Sequence, residues 1–203
     1  LSDFLSEYEY LLNELTGISF ENLKNIIYRK ADIDELTTTL KFLTKILYEK
    51  YNKKLYGVVS NMSIAMERRD FLQKFDCFIC NQQEAGMFFS DDYSEKSQEE
   101  LQEILADCLK NGNIPSMVVT MGGKGSVYAD CEGLRGFCPP KNVSVKDTTG
   151  AGDSFCAGVA SGLTYGKTLP EAVEIGTRLA ASVITSSENV CPRFLPAEFG
   201  LEM

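Results

Sequence analysis

Histidine is absent from all 203 residues of this chain. That removes histidine triads, histidine metal sites and histidine general bases together. Any chemistry must rest on carboxylates, hydroxyls, lysines, cysteines or backbone dipoles. No apolar run approaches the ~20 residues of a membrane span. The start, Leu1-Ser2-Asp3-Phe4, has neither the basic nor the apolar region of a secretory signal. No membrane partner is expected. An initiator Met is also missing, as expected of a chain that begins inside a longer reading frame. Positive charge is in deficit, the net charge being -9, so no nucleic-acid surface is expected. The seven cysteines, an odd count without a signal, fit a reducing cytosol and a cytoplasmic protein. Cys77 and Cys80 have CxxC spacing, but a second CxxC is lacking. They lie in an apolar, strand-like run that would send the two thiols to opposite faces. Two buried strand cysteines are expected, with a metal or redox pair as the alternative.

What remains is ordinary for a globular protein, with 44% apolar and 24% charged residues. The length suits one α/β domain with a good core. Residues 1–50 read as helical, with Ser19 as an N-cap and Leu36, Leu40, Leu43 and Leu47 at helical spacing. Residues 55–60 read as a strand and 63–74 as a helix. Strands are expected over 77–80 and 117–120. Ser97 with Glu100 has the pattern of a capping box, and Asn111-Gly112 closes that helix. A hairpin is expected over 126–138 around Cys131-Glu132-Gly133, then a short strand over 143–145. Helices over 152–165 and from Thr168 to about residue 186 finish the chain. Strands alternating with helices predict a three-layer α/β/α fold with a mainly parallel sheet, in which ligands gather at the carboxyl ends of strands.

Three loops leave such strand ends. Asn81-Gln82-Gln83-Glu84 follows the first buried strand. It reads either as a site motif or as an asparagine N-cap with glutamate at N3. Thr120-Met121-Gly122-Gly123-Lys124-Gly125 permits close backbone approach to a nucleotide, with Lys124 offsetting phosphate charge; a glycine-rich hairpin turn is the alternative. Asp147-Thr148-Thr149-Gly150-Ala151-Gly152-Asp153-Ser154-Phe155 puts small residues directly before a helix. There, unpaired N–H groups and the positive end of the helix dipole favour an anion. A carboxylate at Asp153 offsets that attraction. It makes sense as a base for an attacking hydroxyl. An anion hole beside a base is the minimum equipment for phosphoryl transfer.

DTTGAGDSF resembles the C-terminal signature of the ribokinase-like (PfkB-type) carbohydrate and nucleoside kinases. NQQE resembles that family's N-x-x-E motif and VVTMGGKGS its T-x-G-x-x-G nucleotide strand, in the same order and spacing. Ala180-Ala181-Ser182-Val183-Ile184-Thr185 resembles the last helix, which borders the adenine pocket. The resemblance implies transfer of the ATP γ-phosphate to a hydroxyl of a sugar or nucleoside, a small-molecule partner. By it, Asp153 is the base, and the N–H groups of Gly150, Ala151 and Gly152 form the anion hole. Asn81, Thr120, Gly122, Lys124 and Gly125 lie against the nucleotide, and Glu84 holds Mg2+ through water. The backbone of Asp147 and Thr149 would supply part of a monovalent cation site, with K+ as the candidate. The family's cation loop often has a glycine where this chain reads Ser186-Ser187-Glu188-Asn189, a departure at that site.

Residues 1–203 are expected to form a single ribokinase-like domain. The family's opening acidic strand, its lid strands and its G-G-x-x-x-N segment do not occur here. The sugar-binding half and the lid are therefore expected to be missing; a homodimer is the candidate assembly, but the lid through which relatives often dimerise is not here to set it. The loop at 186–189 and the helical lead-in at 19–30 resemble the pseudouridine-kinase-like branch. A non-catalytic nucleotide-binding remnant is the rival reading, and a cysteine-based metal or redox protein is the third.

Overall fold

The computed structural model describes residues 53–58, 69–186 and 195–201. The chain divides into two units, Leu1–Leu55 and Tyr56–Met203, and every element below belongs to the second. The helices expected over 1–50, with Ser19 and the leucine repeat, lie outside the described residues. So do residues 63–68 of the next expected helix; its end, Arg69–Lys74, is a 3-10 helix.

Five strands form one sheet in the order β1 to β5: Tyr56–Val58, Cys77–Asn81, Ser116–Thr120, Ser126–Asp130 and Arg135–Cys138. β1, β2 and β3 run parallel. The hairpin β4–β5 adds two antiparallel strands, so the sheet is mixed. Among the described residues, four α-helices accompany it: α1 (Gln82–Phe89), α2 (Gln98–Gly112), α3 (Ala151–Thr164) and α4 (Leu169–Ile184).

The period-2 alternation of each strand divides the core. Phe78, Cys80, Met117, Val119, Val127 and Ala129 face one side, packed with Ala85 and Phe88 of α1 and Leu101, Leu105 and Leu109 of α2. Cys77, Ile79 and Val118 face the other, against Phe155 and Val159 of α3 and Ala172 and Val173 of α4. The two CxxC thiols thus point to opposite faces, and all six described cysteines are free. The three leucines of α2 are fully buried, each worth ~1.5–3 kcal/mol in the area-transfer account.

Three local expectations are corrected. Residues 143–145 form no strand; 139–146 carry no regular structure, because the segment leaves Pro139-Pro140 and runs exposed, away from any strand partner among the described residues. Gly112 is the last residue of α2, as expected, but it is not the left-handed cap; Asn113 takes that conformation at φ 49°, which asparagine tolerates. α3 begins at Ala151, one residue before the expected start.

Candidate active site

Asn81 ends β2 and caps α1. Its Oδ1 accepts from the Glu84 N–H at 2.8 Å, and its own N–H donates to Glu84 Oε2 at 2.8 Å. The capping-box reading of NQQE is therefore real, and it leaves the second oxygen of Glu84 for another partner. Gln82 Nε2 donates to the carbonyls of Tyr93 and, at 3.0 Å, Lys96, so it braces the loop after α1. Asn81 stands directly opposite Thr120 in the β2–β3 register. The Thr120 hydroxyl leans across to the Cys80 carbonyl at 3.4 Å. Two of the three motifs therefore meet at neighbouring carboxyl ends of parallel strands, the usual position for a ligand.

The glycine-rich turn is a 3-10 helix, Gly122–Lys124. Gly125 is demanded by packing: at φ 105° a Cβ would sit 2.4 Å from the Cys138 carbonyl. Gly122 has a positive φ of 57° and open space beside it. Lys124 is exposed and makes no ion pair among the described residues, so its ammonium is available to an anion.

The third motif starts α3. Gly150 is the N-cap at φ 78°, a left-handed geometry that favours glycine. No side chain caps this helix. The Ala151 N–H turns back to the Thr148 carbonyl at 3.2 Å, and Gly152 and Asp153 present the next two helix N–H groups. A Cβ on Gly152 would meet nothing within 4 Å. Asp153 sits at N3, where the other capped helices use their glutamate, yet its carboxylate makes no hydrogen bond or ion pair among the described residues. Asp147 Oδ1 accepts from both the N–H and the hydroxyl of Thr149 at 2.9 Å. Those two bonds hold its carboxyl below the usual carboxylate range. The N–H groups of Lys146 and Asp147 donate to the Ile184 carbonyl at the end of α4, at 2.8 and 3.5 Å.

Glu84 and Asp153 belong to different helices but act on one thiol. Cys156, one turn after Asp153, is pushed up to about 12, first by burial and then by the charges of Asp153, Cys77 and Glu84. This partly buried thiol therefore stays protonated at neutral pH. Sequence reasoning passed over Cys156, and nothing in its spacing marks it. It also missed Glu174 on α4, whose carboxylate accepts from the Cys138 thiol at 3.3 Å and pairs with Lys141.

A phosphate fits this constellation. The helix start has no capping side chain, the space beside Gly152 is open, and Lys124 has no ion pair among the described residues. No group of three or more Cys, Asp or Glu is arranged to hold a metal among the described residues.

Comparison with known proteins agrees with this geometry. Residues 37–191 match the family model for the pfkB family of carbohydrate kinases. Guanosine-inosine kinase of Exiguobacterium acetylicum is 38% identical over 168 residues, covering 82% of this chain and 54% of that protein. Pseudouridine kinase of Escherichia coli (strain K12) is 40% identical over 57 residues, 28% of this chain and 18% of that one. A ribokinase of Arabidopsis thaliana, solved with ribose and ATP, superposes with a TM-score of 0.62 at 22% identity, covering 79% of this chain and 49% of its own; this likeness is one of fold. The chain spans about half the length of the first and third of these proteins. No described helix is long and apolar enough to cross a membrane. With residues 37–191 matching the family model and two of the three motifs at the carboxyl ends of β2 and β3, the chain belongs to the pfkB family of carbohydrate kinases.

Proposed function

We propose that this chain is the nucleotide-binding and catalytic portion of an ATP-dependent kinase whose acceptor is the hydroxyl of a nucleoside. The observation that carries the reading is the start of α3: an N3 carboxylate without a partner beside an uncapped glycine N-terminus. Asp153 takes the proton from the acceptor hydroxyl. The backbone around Gly150, Ala151 and Gly152 holds the transferring phosphoryl oxygens, donors of this kind being worth ~2.7–4 kcal/mol each in a transition state. Thr120, Gly122, Lys124 and Gly125 line the nucleotide, with Asn81 near its phosphates. Bound Mg2+ would neutralise phosphate charge, and the free oxygen of Glu84 is suited to hold one of its waters. The carbonyls of Asp147 and Thr149 are the candidate ligands for K+.

The nucleoside acceptor rests on the names of two relatives, guanosine-inosine kinase and pseudouridine kinase. The first aligns over far more of this chain, so a purine nucleoside is the leading acceptor and pseudouridine the second. The family match runs across residue 55, from 37 to 191, which supports treating residues 1–203 as part of one domain. Free thiols suit the cytoplasm, where they persist.

A second reading is favoured by length. A chain that spans 54% of a full relative could bind nucleotide without catalysing transfer, as a regulatory remnant. Two measurements separate the readings. Calorimetric titration with Mg·ATP tests the nucleotide site, and transfer of labelled phosphate from ATP is then assayed with guanosine, inosine, pseudouridine and ribose. Binding with transfer supports the kinase and binding without transfer supports the remnant. A folded chain that gives no heat at millimolar nucleotide overturns both.

A further inference from the structure

The anion loop hangs from a long exposed segment, and its attachment to the fold is sparse. Residues 139–149 carry almost no regular structure and are almost wholly exposed, so burial does little to fix them. Apart from contacts with the elements that border them, the Cys138 thiol on the Pro139 carbonyl and the Ala151 N–H on the Thr148 carbonyl, their hydrogen bonds and ion pairs to other elements among the described residues fall at two places, both on α4. At the near end, Lys141 pairs with Glu174. The other oxygen of Glu174 accepts from the thiol of Cys138, the last residue of β5, at 3.3 Å, and that sulfur also lies 3.4 Å from the buried Thr177 hydroxyl. At the far end, the Ile184 carbonyl accepts from the N–H groups of Lys146 and Asp147.

Glu174 and Ile184 are ten residues apart on one helix, about 15 Å along its axis. The five residues from Lys141 to Lys146 reach about 16–18 Å when extended. The segment therefore has little slack between its two anchors beyond what the Lys141 and Glu174 side chains supply, and the anion loop begins immediately after the second anchor. The carboxylate of Glu174 is suited to hold the first. Burial works against its ionisation, but the bonds from Lys141 and Cys138 and the charges of Lys141 and Arg178 outweigh burial and lower it.

We propose that Glu174 is a positioning residue for the anion loop: by holding Lys141 and Cys138 against α4 it keeps the 142–146 segment taut, and so fixes the Lys146 and Asp147 N–H groups on Ile184 and the start of α3 beyond them. Its consequence for nucleotide rests on the kinase reading above; its consequence for the loop does not.

The test is amide hydrogen exchange on the whole chain, as wild type, Glu174→Ala, Glu174→Gln and Lys141→Met, with Mg·ADP titrations in parallel. In Glu174→Ala and Lys141→Met, exchange at Lys146 and Asp147 should quicken about two- to fivefold, the size expected for a partly exposed ion pair. The β3 amides at 117–119 should keep their protection. Glu174→Gln, which keeps one acceptor oxygen but loses the charge and the second, should fall between wild type and Glu174→Ala. The Mg·ADP dissociation constant should rise by the same factor in the same order of variants. Unchanged exchange at 146–147 overturns the proposal. So does a loss spread equally over β3, which would mean general destabilisation. Wild-type chain that fails to bind Mg·ADP while the exchange pattern holds removes the kinase reading and leaves the positioning role standing.

Discussion

Two glycines of α3 should respond oppositely to the same added methyl group. Gly158 lies where α3 crosses α4. A Cβ there would sit 2.6 Å from Gly176 Cα, 2.9 Å from Gly176 N and 3.1 Å from the Ile175 carbonyl. All three are backbone atoms, so no side chain can swing aside. Overpacking of this kind costs ~1–3 kcal/mol, and the better helix propensity of alanine offsets up to ~1 kcal/mol of it. Gly158→Ala is therefore expected to destabilise by about 1–2 kcal/mol, a fall of about 2–8 °C in Tm for a chain of this size. Gly152 is different. Its φ is not in the left-handed region, and a Cβ would touch nothing within 4 Å. Neither backbone nor neighbours require glycine there. Gly152→Ala should leave Tm unchanged or slightly higher.

The functional readout reverses the order. If phosphate occupies the space beside Gly152, the new methyl competes with it and disrupts a charge-assisted bond worth ~1.5–3 kcal/mol. The affinity for Mg·ADP should then fall tenfold or more, while Gly158→Ala binds nucleotide as wild type does wherever it remains folded. Thermal melts and calorimetric titration of the two variants check both halves. Normal Mg·ADP affinity in Gly152→Ala would refute the anion site at the start of α3, and an undiminished Tm in Gly158→Ala would refute the close helix crossing.

Further outcomes follow from the same geometry. In the full-length protein, Asp153→Asn should lower kcat by about 10²–10⁴, the usual loss of a general base, with little change in the KM for ATP; steady-state kinetics decide it. Glu84→Gln keeps a side-chain acceptor for the Asn81 N–H, so α1 should survive while the Mg2+ concentration for half-maximal rate rises. Ser97→Ala removes one half of the α2 capping box and should cost ~1 kcal/mol in a denaturant titration. The Asp147 carboxyl is lowered by Thr149. Its contribution is therefore fully present above the unfolded value of ~3.9 and is lost as pH falls through the lower folded value. By NMR the Thr149 amide should hold steady between pH 5 and 8 and shift only in acid.

Local patterns were legible in the sequence and long-range attachments were not. Asn81 with Glu84, Ser97 with Glu100 and Thr168 with Glu171 are readable because a helix start is written within four residues, and all three recur in the fold. The opposite faces of Cys77 and Cys80 follow from strand periodicity alone. Val143 and Val145 looked like a strand, yet strand formation needs a partner, and the register of a partner is not encoded in three residues. Gly112 looked like a helix end, but Asn113 takes the left-handed turn while Gly112 packs against Ile114. Glu174 gave no signal at all. On α4 it reads as one more charge on a solvated face, and its meeting with Lys141, 33 residues away, exists only once β5 and α4 have packed.

The capping pattern also bears on why the proposed chemistry is assigned to α3. α1, α2 and α4 each close their starts with a glutamate at N3 that accepts from the N-cap N–H. There, an acidic N3 residue is a structural device that satisfies an orphan donor. α3 keeps the acidic N3 residue, Asp153, but replaces the capping side chain with Gly150. Two groups are released together. The N–H groups of the first turn have no side-chain acceptor, and the N3 carboxylate has no donor. In a purely structural helix both would be a loss, though a modest one, a glycine N-cap being less stable than a capping side chain by only a few tenths of a kcal/mol. On the proposed kinase reading they would serve as an anion site and a base within one turn of helix. Among the described α-helices, α3 alone starts without a capping side chain, and on that reading a phosphate would supply the missing acceptor and a substrate hydroxyl the missing donor.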